Sequence, residues 1–246
     1  MVNVETAQVS RQGNRSENQD RARIAMSDTR MLLTVADGMG GHVGGDLAAE
    51  TAVETLVKAF QETDAIFEPA EFLRSSIVAA HRAVVALGAE LDSELRPRTT
   101  ITACLVTAGM VRWAHVGDSR IYFIRDRRVL ARTRDHSAVE ILAQQGLLED
   151  TDLAMHPLRN FVDQCLGGDS ELPTIDISDP HPLLAGDVVV LCSDGFWAPL
   201  TDVQLARALG EQLILQASLE ALAMEAELRA TPASDNITAA ALRWPG

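Results

Sequence analysis

Thr100-Ile101-Thr102-Ala103-Cys104-Leu105-Val106-Thr107, then Ala108-Gly109, then Met110-Val111-Arg112-Trp113-Ala114-His115-Val116, is the stretch that decides the fold class. Two apolar runs rich in β-branched residues flank a two-residue turn signal, so they read as adjacent strands of an antiparallel hairpin. Ile121 to Ile124 extends the pattern and turns at Asp126-Arg127 into Arg128-Val129-Leu130. Outward from this centre, Arg21 to Met26, Met31 to Ala36, Val188 to Cys192 and Ile237 to Leu242 also read as strands. Leu47, Ala48, Ala52, Val53, Leu56, Val57 and Phe60 form an apolar stripe at helical spacing, and Phe72, Ile77, Ala80, Val84, Leu87 and Leu91 form a second. Thr201 to Gln204 has the form of a capping box, and Leu213 to Leu228 reads as a further apolar helix. Hairpin-linked strands in the middle with helix pairs on either side predict an α+β fold, antiparallel sheets covered by helices.

The chain has 246 residues, 47% of them hydrophobic, enough for a sizeable core. No repeat and no Pro/Ser/Gly linker divides it, so residues 1–246 read as one domain. Asp135 to Gly168 contains a short helix, Ser137 to Gln145, and then polar, irregular sequence, and residues 137–168 read as a flap. The formal charge of −14 argues against nucleic-acid or anionic-membrane partners. The three cysteines, Cys104, Cys165 and Cys192, lack metal-ligand spacing and their number is odd, which points to a reducing cytoplasm. The N-terminus has no apolar signal core, and no run is long enough to cross a bilayer, so the expectation is a cytoplasmic protein, neither exported nor anchored.

Two Asp-Gly pairs directly follow apolar strands: Val35-Ala36-Asp37-Gly38 and Leu191-Cys192-Ser193-Asp194-Gly195. A single Asp-Gly pair reads as a turn. Here Asp118 also follows a strand, and Asp20 and Asp235 stand just before strands. Five aspartates at strand edges would repel one another if gathered without cations. Carboxylates with no His/Cys cluster among them favour hard ions such as Mg²⁺ or Mn²⁺ over zinc.

Arg15-Ser16-Glu17-Asn18-Gln19-Asp20, Asp37-Gly38-Met39-Gly40-Gly41-His42, Gly117-Asp118-Ser119-Arg120, Ser193-Asp194-Gly195 and Asp235-Asn236-Ile237-Thr238, in that order, resemble the PP2C (PPM) family of metal-dependent Ser/Thr protein phosphatases, in its compact bacterial form. The resemblance spans nearly the whole chain. It implies a four-layer α-β-β-α sandwich of two antiparallel sheets. It also implies that Asp37 bridges two Mn²⁺ or Mg²⁺ ions, with the Gly38 carbonyl on one of them. Asp194 and Asp235 would hold the first ion, Asp20 would support the site, and Asp118 with Asp194 would take a third. Two cations about 3.5–4 Å apart can acidify a bridging water that attacks phosphorus in line. Arg15 would grip the phosphate with its planar fork.

Many eukaryotic members carry His two residues after the bridging aspartate, whereas this chain has Met39. Met cannot donate a proton to the leaving alkoxide. His42 is a candidate donor or water-orienting group, the alternatives being a helix-start residue and a metal-bound water. His115 reads as structural, and His136 and His156 as surface residues. Ser119 and Arg120 are expected to shape the turn presenting Asp118, Ser193 to serve a turn, and Asn236 and Thr238 to brace Asp235.

The resemblance further implies phosphorylated proteins as substrates, with a Ser/Thr kinase as the opposing partner, and the compact form suits a free-standing monomer. A pseudophosphatase acting as a binding module would be expected to have lost some of these aspartates, and a nuclease would be expected to carry a basic stripe.

Overall fold

The computed structural model describes residues 4–39, 44–66, 68–144, 162–211 and 213–245. In chain order the strands and helices are β1 (Glu5–Arg11), β2 (Asp20–Met26), β3 (Arg30–Met39), α1 (Gly45–Glu62), α2 (Pro69–Leu87), β4 (Arg98–Thr99), β5 (Ile101–Thr107), β6 (Met110–Val116), β7 (Arg120–Arg125), β8 (Arg128–Arg132), α3 (Ala138–Gln144), β9 (Leu166–Gly167), β10 (Asp176–Ile177), β11 (His181–Pro182), β12 (Val188–Cys192), α4 (Asp194–Trp197), α5 (Asp202–Leu209), α6 (Leu215–Ala230) and β13 (Ile237–Arg243).

One sheet runs β1-β13-β12-β7-β8. The other runs β10-β6-β5-β3-β4-β9, with β2 paired to β3 and β11 to β6. All the pairings are antiparallel. Three apolar layers hold the stack together. Phe60, Leu73 and Ile77 of α1 and α2 pack on Leu32 and Leu105 of the second sheet. Leu33, Cys104 and Trp113 meet Ile121, Val189 and Leu191 between the sheets. Leu205, Leu219 and Leu222 of α5 and α6 cover Tyr122 and Val190 of the first sheet. Strands buried on both faces explain why β5, β12 and β13 are mostly apolar rather than alternating. The result is the expected α-β-β-α layering.

Local signals behave as their chemistry predicts. Ala108 and Gly109, φ 50° and 71°, make a turn with two left-handed residues, and Asp126 and Arg127, φ 50° and 58°, do the same. That twist matches a hairpin. Thr201 caps α5, its Oγ1 accepting from the Gln204 N–H at 3.3 Å while the Gln204 side chain accepts from the Thr201 N–H at 3.0 Å.

Other boundaries differ from the sequence expectation. β3 does not stop before Asp37 but continues to Met39, because β4 supplies partners opposite Gly38 and Met39. α2 ends at Leu87 with Gly88 as its cap, so Leu91 lies beyond the helix. Leu213 precedes α6 and is exposed. β1 has no counterpart in the sequence reading. Its polar alternation resembles a loop, yet it forms the edge of the first sheet against β13. Of the segment read as a flap, residues 145–161 lie outside the described residues, α3 is a short helix, and Leu166–Gly167 joins the larger sheet as β9.

Among the described residues, no helix is long and apolar enough to cross a membrane. Cys104, Cys165 and Cys192 are all free thiols.

Candidate metal centre

The ends of four strands, β2, β3, β6 and β13, and the first turn of α4 bring the aspartates together. Asp20 opens β2 and stands directly opposite Asp37 in the β2–β3 register. Its carboxylate is buried: Oδ2 accepts from Ser193 Oγ at 2.7 Å, while Oδ1 has no hydrogen-bond partner. Asp37 is held by its backbone. Its N–H donates to Thr100 Oγ1 at 2.9 Å, and its carbonyl accepts from the Thr100 N–H and Thr99 Oγ1, both at 2.9 Å. Asp194 begins α4, directly after β12 and Ser193. Asp235 accepts from Arg15 Nη2 at 2.6 Å through Oδ2 and from the Asn236 N–H at 2.8 Å through Oδ1.

Asp118 is clamped from two sides. The indole N–H of Trp197, in the same short helix as Asp194, donates to the Asp118 carbonyl at 3.0 Å. The neighbouring Ser119 Oγ lies 2.8 Å from Thr100 Oγ1, the group that also receives the Asp37 N–H. Arg120 lies over the Trp197 ring, 3.3 Å from its centroid, and forms a two-point ion pair with Asp135 at 2.8 and 2.7 Å.

Close approach of backbones makes this convergence possible. A Cβ on Gly38 would sit 2.1 Å from the Gly45 carbonyl oxygen, and one on Gly195 would sit 2.1 Å from that of Asn236. Only glycine fits at either place.

The electrostatics follow from burial and like charge. Burial, with the Asp194 and Asp235 carboxylates adding to it, pushes Asp20 up to about 7 against the opposing Ser193 hydrogen bond. Burial, then Asp194 and Asp135, push Asp118 up to about 8. Burial, then Asp235, push Asp194 up to about 6, with the Gly195 N–H opposing. Asp37 is driven well above the carboxylate range by burial and then by Asp20, Asp194, Asp118 and Asp235. Arg15 is held more firmly protonated by its hydrogen bond to Asp235 and by the charges of Asp235, Asp194 and Asp37.

Crowded carboxylates whose proton affinity is raised by burial and like charge, one with an unpartnered buried oxygen, form a set that a cation would relieve. All the donors are oxygens, which suits hard divalent ions. No three of the five bring ligating atoms within 4.8 Å of one another, so three of them share one ion only when their side chains draw together.

The structure therefore gathers Asp20, Asp37, Gly38, Asp118, Asp194 and Asp235, with Arg15 at the edge. His42 lies outside the described residues, as do Gly40, Gly41 and His156. Ser193 does more than turn the chain, since it supports Asp20 and accepts from the Thr238 N–H at 3.0 Å. Asn236 braces the loop before β2 as well as adjoining Asp235. Its Nδ2 donates to the carbonyls of Gln12 and Glu17, at 2.8 and 2.9 Å. Thr238 braces Ser193 rather than Asp235. His136 is no free surface residue: Nε2 lies 3.2 Å from Asp176 Oδ2, and the ring packs 4.6 Å from that of His115.

Sequence reasoning missed Trp197 and Thr100. An indole N–H needs a partner when buried, so a Trp three residues after Asp194 was the available signal. Thr100 had none beyond its strand.

The Protein phosphatase 2C family profile matches residues 7–231. The serine/threonine phosphatase stp of Listeria monocytogenes is 32% identical over 231 residues, 91% of this chain and 89% of that protein. The serine/threonine phosphatase of S. agalactiae superposes with a TM-score of 0.89 at 32% identity, covering 98% of this chain and 99% of the other. The catalytic domain of the phosphatase PstP, solved in complex with two manganese ions, superposes with a TM-score of 0.82 at 26% identity, covering 99% of each chain.

Proposed function

The chain belongs to the Protein phosphatase 2C family and is a metal-dependent protein serine/threonine phosphatase, and we propose that the aspartates gathered around Asp37 hold its Mn²⁺ or Mg²⁺ ions. The observation that carries the assignment is the buried, partnerless Oδ1 of Asp20, directly opposite Asp37 in the β2–β3 register and among the charges of Asp194 and Asp235. Asp37 would be shared between two ions, the Gly38 carbonyl would bind one of them, Asp194 and Asp235 would hold the first, and Asp118 with Asp194 would take a third. Asp20, oriented by Ser193, would support the site.

When bound, the divalent ions supply the positive charge that acidifies a water and shields the phosphate. The rest falls to side chains. Arg15 is more than half exposed, so its guanidinium can turn from Asp235 to phosphate oxygens without being drawn out of a packed core. His42 is proposed as proton donor on motif position alone.

The same proposal takes residues 1–246 as one phosphatase domain with 137–168 as its flap. It extends to a monomer in a bacterial cytoplasm, opposing a Ser/Thr kinase and acting on that kinase's targets. The test is hydrolysis of a phosphothreonine peptide: turnover with Mn²⁺ or Mg²⁺, and none after chelation. Binding of the peptide without turnover under any divalent metal would instead make the chain a binding module.

Trp197→Phe keeps an aromatic ring beneath Arg120 and removes only the indole N–H. The Asp118 carbonyl then loses its donor, worth about 1 kcal/mol. Calorimetric Mn²⁺ titration is expected to show roughly 3–10-fold weaker binding of the ion that uses Asp118, with the other ions unmoved. Equal weakening of every ion would mean that the indole merely supports the fold.

A further inference from the structure

We propose that His115, His136 and Asp176 form a second metal site, separate from the aspartates, that selects a borderline-soft divalent ion such as Zn²⁺ or Co²⁺ over Mn²⁺ and Mg²⁺. The three residues come from β6, the loop after β8, and β10, and one ligating atom from each lies within 4.8 Å of the others. Sheet register builds half of the site, because Asp176 stands directly opposite His115 in the β10–β6 pair. His136 completes it: its Nε2 lies 3.2 Å from Asp176 Oδ2, and its ring is 4.6 Å from that of His115. A tetrahedral ion with bonds near 2.0–2.1 Å sets its ligands roughly 3.3 Å apart, so the existing His136–Asp176 spacing already suits one.

The protonation pattern supports ligation by His115. Its Nε2 lies 2.7 Å from the Arg134 carbonyl, which can only accept, so Nε2 carries the proton and Nδ1 the lone pair. A backbone carbonyl behind an imidazole is a common way to fix the tautomer of a metal ligand. Burial, and then the neighbouring His136, hold His115 in the neutral form that ligation requires. Ligation by His136 has a cost: its Nδ1 accepts from the Gly117 N–H at 3.4 Å, and loading Nε2 moves the ring proton to Nδ1, so the ring must shift to keep the two N–H groups apart.

Two nitrogens and one oxygen distinguish this site from the all-oxygen aspartate set. Imidazole prefers zinc, cobalt and nickel, whereas carboxylate and carbonyl oxygens suit magnesium and manganese. Asp176 is half exposed, which leaves an approach for the ion and room for water as a fourth ligand.

Cobalt provides the test, because four-coordinate Co²⁺ absorbs visible light far more strongly than six-coordinate Co²⁺ bound to oxygen. The whole chain, held in excess Mg²⁺ to fill the aspartates, is titrated with Co²⁺. The expected result is one equivalent of strongly absorbing Co²⁺ that Mg²⁺ does not displace. It should weaken at least about tenfold in His136→Gln and in Asp176→Asn and persist in Asp194→Ala. Absence of such a band in the natural chain, or its survival in Asp176→Asn, overturns the site. Asp176 is exposed enough for that variant to fold, so it decides the matter even if His136→Gln does not. The readout is independent of phosphatase turnover, so failure here leaves the aspartate assignment standing.

Discussion

Asp194→Ala is expected to lower turnover of a phosphothreonine peptide about a thousandfold, because losing one ion's hold removes several kcal/mol of charge stabilisation. Stability is expected to move the other way. Asp194 sits among carboxylates that raise one another's proton affinity, and its removal relieves Asp20, Asp37 and Asp118. In chelator, the variant should therefore melt at or above the temperature of the natural chain. A site arranged for cations is strained without them, and removing one charge trades function for stability. Steady-state kinetics in Mn²⁺ and thermal melts in chelator measure the two effects. Full activity in Asp194→Ala would remove Asp194 from the metal site.

Stripped of metal, the protein should lose stability as pH rises, the reverse of the usual behaviour of paired carboxylates. Asp20, Asp118 and Asp194 have folded-state pKa values of about 7, 8 and 6, all above the unfolded value near 4. Between about pH 4 and pH 8 the folded state therefore binds more protons than the unfolded state. Stability is greatest below the unfolded pKa and drains away as pH rises through the folded values. A change of only a few kcal/mol would lower Tm by roughly 10 °C in a chain of this size. Saturating Mn²⁺ should abolish the decline, since cations replace the protons. Melts at pH 5 and pH 8, each with chelator and with Mn²⁺, check both parts. A chelated protein more stable at pH 8 than at pH 5 would contradict the crowding of these carboxylates.

Much of this architecture was legible in the sequence wherever the signal is local. The Ala108-Gly109 and Asp126-Arg127 turns, the Thr201 cap and the apolar runs of β5 and β12 depend on neighbours a few residues away. The aspartates were legible for another reason: five short motifs in a fixed order carry more information than any one of them. The edge strand β1 was hidden because its exposed, polar alternation resembles a loop until β13 supplies its partner. β3 seemed to end at Ala36 because nothing in its own residues announces the pairing of β4 with Gly38 and Met39.

Local motifs mark the candidates for the chemistry: aspartates at strand ends, glycines where backbones touch, and Arg15 ahead of Asp20. Tertiary structure alone decided how they are held. Ser193 reaches Asp20 across 173 residues, Trp197 reaches Asp118 across 79, and His136 reaches Asp176 across 40. Periodicity reports which face of an element is apolar, within a turn or two of chain. It carries no information on which strand end meets which helix, and those meetings set the burial, the mutual repulsion and the raised proton affinity of Asp20, Asp37, Asp118 and Asp194.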